Sequence, residues 1–211
     1  MMKTKYPLFV LVGPSGVGKS TLIKAMLSMF PFLRKLVTAT TRAPEVRDGA
    51  MEVDGVSYHF WGVLKFLWMI LTRQMLEWVM NHGGYFYGMP WLSLKDLKRG
   101  PRIIDIDYRG ARSIRSYYPD AVIVVVRPNS LTDLRERLTK GRANTRDNSV
   151  RLKTAEKEMA IIDKSKEFPI QIVNDDLGKA ILELKAIIRQ TLVDRGLLSR
   201  IHTDSFPDSL S

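Results

Sequence analysis

The sequence predicts an α/β protein whose parallel core sheet is covered by helices on both faces. Short apolar runs, such as 8–12 and 121–126, alternate with segments of helical periodicity. These runs are apolar throughout, which is typical of strands buried on both faces. A glycine-rich segment joins the first strand to the first helix, as in strand–loop–helix units of parallel sheets.

The elements follow one another along the chain. The predicted strands are 8–12, 36–41, 57–60, 102–106, 121–126 and 169–173. The predicted helices are 21–30, 62–79, 131–138, 149–162 and 177–192. Pro31 ends the first helix and Gly83-Gly84 the second, because neither residue type continues a helix well. We expect a basic loop over 140–148 and a loosely ordered polar tail from 194.

Composition and charge restrict the function classes. The 211 residues carry 33 basic and 22 acidic side chains, a net charge of +11, which predicts an anionic partner. The densest basic stretch, 135–151, also contains acidic residues, so we favour nucleotide phosphates over nucleic acid. No apolar run approaches the ~18 residues of a membrane span, and no signal-peptide cleavage site follows the first run. We therefore expect no membrane partner and a cytoplasmic location; the sequence has no cysteine for disulfide or thiolate chemistry.

The strongest motif is a phosphate-binding loop. It consists of Gly13, Pro14, Ser15, Gly16, Val17, Gly18, Lys19 and Ser20. Such a loop turns backbone N–H groups toward phosphate oxygens at the N-terminus of a helix. The lysine reaches the β- and γ-phosphates, and the following hydroxyl can bind Mg²⁺. The motif therefore predicts binding of a nucleoside triphosphate.

Two carboxylates lie at the end of the strand predicted at 102–106. Asp105 and Asp107 are two residues apart, so their side chains are expected on one face. Asp105 is a candidate for holding Mg²⁺ through water, and Asp107 would point beyond the phosphate loop.

Several motifs, taken together, resemble the guanylate kinase family from about residue 8 to 190. They are 13–21, Thr40-Thr41-Arg42-Ala43-Pro44, Gly55 to Phe60, Leu76-Glu77-Trp78, Tyr87-Gly88, Asp105 to Gly110, the lid-like Arg137-Leu138, Arg151-Leu152 and Glu158, and Val173 to Leu177. The resemblance implies a single domain over 1–211 with three parts. These are a core (6–35, 93–130 and 161–193), a subdomain for the nucleoside monophosphate (36–92) and a helical lid (131–160).

The resemblance also implies an activity and a set of site residues. The reaction is phosphorylation of GMP, and of dGMP, by ATP with Mg²⁺. The expected catalytic residues are Lys19, Arg137, Arg142 and Arg151, which cancel charge on the transferred group. ATP is expected to contact Gly13, Pro14, Ser15, Gly16, Val17, Gly18, Lys19, Ser20 and Thr21, with Asn174 facing the adenine. GMP is expected to contact Thr38, Arg42, Arg47, Tyr58, Glu77, Tyr87 and Asp107. The metal is expected at Ser20 and, through water, at Asp105.

Three departures from the family pattern bear on these expectations. Glu45 stands where the family usually has a second arginine, so we expect Arg47, in a longer loop, to take its place. Met89 stands where the family has a serine or threonine hydroxyl directed at guanine O6, which leaves Thr38 as a donor. The segment 63–71 is unusually apolar, which predicts contact with a second copy of the chain or a helix enclosed within the monomer.

Other functions remain open at this point. A non-catalytic guanylate-kinase-like interaction domain would fit the family, although such domains tend to lose the loop glycines and lysine that this chain retains. A related kinase with a different phosphorylated acceptor would fit the departures at Glu45 and Met89. A nucleic-acid-binding protein would fit the charge alone.

Overall fold

The computed structural model describes residues 5–47, 49–80, 83–141, 145–165 and 167–198. Its strands are β1 (Leu8–Val12), β2 (Arg34–Lys35), β3 (Ala39–Thr40), β4 (Val46–Arg47), β5 (Ala50–Met51), β6 (His59–Phe60), β7 (Met75–Met80), β8 (Phe86–Pro90), β9 (Arg102–Ile106), β10 (Val122–Arg127) and β11 (Ile170–Val173). Its helices are α1 (Lys19–Met29), α2 (Val63–Leu71), α3 (Tyr108–Tyr117), α4 (Leu131–Gly141), α5 (Thr145–Ser165) and α6 (Leu177–Asp194), with a 3₁₀ helix at Trp91–Lys98.

The core is a five-stranded parallel sheet in the order β11-β10-β1-β9-β2. Alternate residues of β1 point into two apolar layers. Phe9 and Leu11 pack with α1 and α6, whereas Leu8, Val10 and Val12 pack with α3. Because β1 is central and buried on both faces, the loop that follows it starts from a rigid position. The α/β class with a parallel core sheet is confirmed.

A second, mixed sheet has the order β6-β3-β8-β7. One of its faces packs on α2, where Ala39, Phe66, Met69 and Met75 form a small apolar cluster. The other face carries the polar residues described below. A separate hairpin, β4-β5, projects from the segment between β3 and β6.

The prediction of one helix over 62–79 is wrong. Helix α2 ends at Leu71, and Arg73 has a left-handed backbone with φ of 55°. The chain then forms β7, which pairs antiparallel with β8. The apolar run is nearly continuous, and its periodicity does not reveal where helix gives way to hairpin. Helix α3 and strand β8 were not predicted.

The short strands β2, β4 and β5 and the 3₁₀ helix were not predicted either, whereas the other predicted strands and helices overlap observed ones. The region between α4 and α5 is shorter than the basic loop expected over 140–148, because α5 begins at Thr145. The tail from 194 lies mostly outside the described residues; within its described part, Leu197 is buried against the core. No helix in the described ranges combines the length and apolar character that crossing a membrane requires.

Candidate active site

The phosphate loop connects β1 to α1 with a backbone that only glycine adopts easily. Gly18 caps α1 with φ of 98°, and a Cβ at this position would lie 2.4 Å from the amide nitrogen of Asn174. That amide donates to the Val17 carbonyl at 2.7 Å. Side-chain volume at residue 18 would therefore displace the amide that supports the loop.

Asn174 contacts the phosphate loop, and its expected contact with the adenine stays a prediction. Its side chain is buried, and its amide is used on the phosphate loop. Its backbone carbonyl accepts from Arg137 at 2.8 Å. The residue therefore supports the loop and contacts the first helix of the expected lid.

Lys19 lies at the first position of α1 among three carboxylates. Its ammonium donates to the carbonyls of Gly13 and Pro14. Burial lowers the pKa of Lys19, and the charges of Asp105, Glu158 and Asp107 oppose that effect. The ammonium is thus held beside the loop by acceptors that phosphate oxygens would replace.

The three carboxylates lie in different parts of the fold: in β9, at the N-cap of α3 and in α5. Asp105 lies in β9, level with Leu11 of the central strand. Asp107 begins α3 and accepts from the backbone N–H of Gly110 at 2.7 Å. Both raise the pKa of Lys19, so the two carboxylates lie near the phosphate loop; their expected roles stay predictions.

Glu158 of α5 is a site residue to which the sequence analysis gave no role. Burial raises the pKa of Glu158, and Asp107 raises it further, while Lys19 and the backbone N–H of Tyr108 lower it. Its Oε1 is buried, and no hydrogen-bond partner for it lies within the described ranges. The sequence signal was only its place in the lid-like motif.

The polar face of the second sheet collects the residues expected to bind the acceptor nucleotide. In the registers, Thr40 lies beside Tyr87 and Phe60, and Glu77 lies beside Met89. Because strand residues alternate between faces, Glu77 and Tyr87 share the face of Thr40. Thr38 immediately precedes β3, and its carbonyl accepts from the backbone N–H of His59 at 2.7 Å.

Arg42, Tyr58 and Tyr87 form a contact group that we call the acceptor-phosphate cluster. Arg42 Nε donates to the Tyr87 hydroxyl at 3.2 Å, and the two tyrosine rings meet edge to face with centroids 6.1 Å apart. Arg42 Nη2 donates to Glu52 at 2.7 Å, and both side chains are buried. Glu45 lies 3.4 Å from the same guanidinium. The sequence gave no signal for Glu52, which reaches Arg42 only through the β4-β5 hairpin.

Arg47 lies at the end of β4, paired with Ala50. The structure does not describe its side chain, so its expected contact with the acceptor stays a prediction.

Glu77 lies on β7 rather than on a helix. Burial, with a further contribution from the charge of Asp107, raises the pKa of Glu77 to about 7, although the backbone N–H of Met89 opposes the rise. Carboxylates at Glu77 and Asp107 are thus close enough to affect each other. Met89 itself is fully buried in an apolar layer and packs as a core residue.

Two of the three expected lid arginines, Arg137 and Arg151, have described contacts near the phosphate loop. Arg151 Nη2 donates to the hydroxyl of Ser15 at 2.5 Å, and Arg137 contacts Asn174 behind the loop. Both therefore lie at the phosphate loop. Arg142 lies outside the described residues. The hydroxyl-bearing Ser20 and Thr21 are exposed at the start of α1.

Comparison with known proteins is consistent with this geometry. A family model described as guanylate kinase matches residues 5–191. A guanylate kinase from Thermosynechococcus vestitus is 40% identical over 184 residues, covering 86% of this chain and 92% of that protein. One from Rubrobacter xylanophilus is 42% identical over 187 residues, covering 87% and 93%. The crystal structure of guanylate kinase from Anaplasma phagocytophilum superposes with a TM-score of 0.63 at 25% identity, covering 93% of this chain and 98% of that one.

Proposed function

Because the chain belongs to the guanylate kinase family, we propose that the site described above transfers the γ-phosphoryl group of ATP to GMP. The protein is an ATP-dependent nucleoside monophosphate kinase. The observation that carries the site assignment is the complete phosphate loop with Lys19 among carboxylates, next to a sheet face bearing Arg42 and Glu77. The intact loop argues against a non-catalytic interaction domain.

The reaction needs alignment and charge cancellation rather than covalent catalysis. An oxygen of the acceptor phosphate attacks the γ-phosphorus, and the bond to the ADP oxygen breaks. Lys19 turns from its loop carbonyls to the transferring group, and Arg151 is within reach of the same loop. The proposed division into core, monophosphate subdomain and lid follows this arrangement.

The proposed acceptor specificity rests on Glu77 and Asp107. Guanine presents N1–H and a 2-amino group, both of which donate to carboxylates. Adenine has neither donor, so AMP would leave desolvated carboxylates unpaired. The 2′-hydroxyl has no proposed partner in this site, so we extend the proposal to dGMP.

The residues also fit a magnesium ion. Asp105, Asp107 and Glu158 all raise the pKa of Lys19, so negative charge lies near the phosphate loop, although no three of the described acidic or histidine side chains form a metal site by themselves. The Ser20 hydroxyl and, through water, Asp105 would hold Mg²⁺ with the phosphates, since this ion prefers oxygen ligands and retains waters. When bound, the ion neutralises charge on the phosphate oxygens.

A substrate panel tests the proposed function. ADP formation is measured with ATP and, in turn, GMP, dGMP, IMP, AMP and CMP. We expect kcat/KM for GMP to exceed that for AMP by about 10⁴-fold. Comparable turnover of AMP and GMP would show that Glu77 and Asp107 do not read the base, and would favour a kinase with another acceptor.

Arg47 is proposed to supply a second cation for the acceptor phosphate, in place of the family arginine that Glu45 replaces. The hairpin that carries it begins directly after Glu45. Arg47→Ala should raise KM for GMP strongly and leave KM for ATP nearly unchanged. Equal effects on both substrates, or none, would contradict this role.

We further propose a homodimer through α2. Its outer face exposes Val63, Leu64, Leu67, Trp68 and Leu71, with Leu64 83% and Leu71 81% exposed. The exposure of this face favours a dimer over the alternative of a helix enclosed within the monomer, since Phe66 and Met69 are the buried residues of α2 in the described part of the chain. A contiguous apolar face of this kind is typical of an interface, and a second copy pairs the same face on both subunits.

Light scattering at micromolar concentration tests this dimer. Leu64→Asp should convert the dimer to a monomer, whereas Leu182→Asp should not, because Leu182 is exposed on α6, elsewhere in the fold. A strictly monomeric wild type would contradict the proposal.

We also propose that the protein acts in the cytoplasm without nucleic acid or membrane partners. Three of its cations, Lys19, Arg42 and Arg151, lie at the proposed nucleotide-binding positions, which supports nucleotides as its anionic partners. Cell fractionation and filter binding to duplex DNA at physiological salt would test both parts; enrichment in membranes or retention of DNA would oppose them.

A further inference from the structure

Arg42, a cation of the acceptor-phosphate cluster, already contacts two carboxylates before a substrate arrives. Glu52 lies 2.7 Å and Glu45 3.4 Å from its guanidinium. A phosphate monoester adds a charge of about −1.5 to −2 at neutral pH. Binding it beside these carboxylates calls for a further cation.

Lys35 brings a second cation to the same aromatic ring. Its Nζ lies 5.1 Å from the centroid of the Tyr58 ring, and the Arg42 Cζ lies 5.8 Å from that centroid. Lys35 ends β2, the edge strand of the core sheet, whereas Arg42 and Tyr58 belong to the acceptor subdomain. The lysine therefore reaches the cluster from a different part of the fold.

We propose that Lys35 binds the phosphate of the acceptor nucleotide together with Arg42, as a cation additional to the Arg47 proposed above. This inference rests on the proposed function, because the phosphate is that of GMP. A lysine ammonium is a compact charge on a flexible stem, so it can move from the ring to a phosphate oxygen. The Tyr58 ring holds the ammonium near the cluster through a cation–π contact.

This role separates Lys35 from a purely structural residue. If the ammonium only packs on Tyr58, its loss should affect guanosine and GMP alike. If it binds phosphate, only the ligand that carries a phosphate should be affected. Guanosine is thus the internal control, since it keeps the base and the ribose and lacks the charge.

The experiment compares Lys35→Met, which keeps an alkyl stem over the ring, with Lys35→Arg and the wild type. Calorimetry gives Kd for GMP and for guanosine, and steady-state kinetics give KM for ATP. We expect Lys35→Met to weaken GMP binding by about 10- to 100-fold, as for loss of a charge-assisted hydrogen bond. Guanosine affinity and KM for ATP should change by less than about twofold, which is within the range of surface substitutions, and Lys35→Arg should retain GMP binding.

Arg34→Met is the matched control. Arg34 precedes Lys35 in the same strand and is exposed, and its guanidinium donates to the carbonyl of Pro31. It should bind GMP like the wild type.

Equal weakening of GMP and guanosine by Lys35→Met would overturn the proposal. Unchanged GMP binding in Lys35→Met, with strong weakening in Arg47→Met, would also overturn it and would assign the second cation to Arg47. A wild type that forms no ADP with GMP would instead overturn the proposed function itself, so the two failures are distinguishable.

Discussion

Glu77 is the residue whose chemistry most constrains acceptor recognition. Its pKa is raised to about 7 by burial, with the charge of Asp107 adding to the shift. Only the ionised carboxylate offers acceptors on both oxygens to guanine. Under the proposed role of Glu77, the free protein near neutral pH is therefore divided between an ionised form that accepts from guanine and a protonated form that does not.

This predicts a pH-dependent affinity for guanosine, which avoids titration of the GMP phosphate. Affinity should fall about tenfold from pH 8 to pH 6 as Glu77 becomes protonated. Calorimetry across this range measures it, and Glu77→Gln should lose the dependence along with most of the affinity. A flat wild-type profile would show that Glu77 is not the group that reads the base.

The same shift predicts an effect on stability. A carboxyl whose folded pKa is raised stabilises the fold below its unfolded pKa, near 4.5, and this contribution is lost as pH rises through about 7. Glu77→Gln should therefore raise the free energy of unfolding at pH 8 by about 1–3 kcal/mol. The gain should shrink as the pH falls and vanish below about pH 4, under the unfolded pKa. Urea unfolding measures both values, and a variant less stable than the wild type at pH 8 would contradict the assignment.

At the scale of elements, the phosphate loop depends on a contact from the far end of the sheet. Asn174 follows β11 and supports the carbonyl of Val17. Asn174→Ala should leave this buried carbonyl unpaired at a cost of about 1–3 kcal/mol in the free energy of unfolding. It should weaken ATP and GTP equally, because the loop contacts phosphates rather than a base.

The exposed neighbour Asp175 provides the control, since Asp175→Ala leaves the Val17 contact intact. If Asn174→Ala changed the preference between ATP and GTP without loss of stability, the residue would read the adenine as first expected.

The elements also show which parts of the fold the sequence could predict. The strand–loop–helix unit around Lys19 was predictable because its constraints are local, from a buried strand to glycines at fixed positions. Strand β7 was not, because it depends on pairing with β8 across the turn at Gly83-Gly84. The continuous apolar run alone does not indicate that β8 is the pairing partner of β7.

At the scale of the whole molecule, some contacts of the site could be predicted from the sequence and others could not. Asp105 and Asp107 lie at the end of the predicted strand β9, so the parallel topology brings them toward Lys19, whereas Glu158 approaches it from helix α5. The contacts of Arg42 with Glu52 and of Lys35 with Tyr58 join separate parts of the fold. Neither pair has a sequence spacing that would indicate contact.

Met89 illustrates the same limit. In the sequence it reads as a lost hydroxyl in the substrate site, whereas in the fold it fills an apolar layer. The effect of Met89 on GMP binding therefore depends on how it packs, and a sequence motif does not predict that packing.

The central claim is that this molecule moves the γ-phosphoryl group of ATP onto GMP with Lys19 at the transferring group. The most direct measurement is a single-turnover reaction with γ-labelled ATP and GMP, followed by separation of the nucleotides. The account predicts label in the β-phosphate of GDP with the wild type, and transfer at least about a hundredfold slower with folded Lys19→Met. Label released as free phosphate, or transfer by Lys19→Met at the wild-type rate, would contradict it.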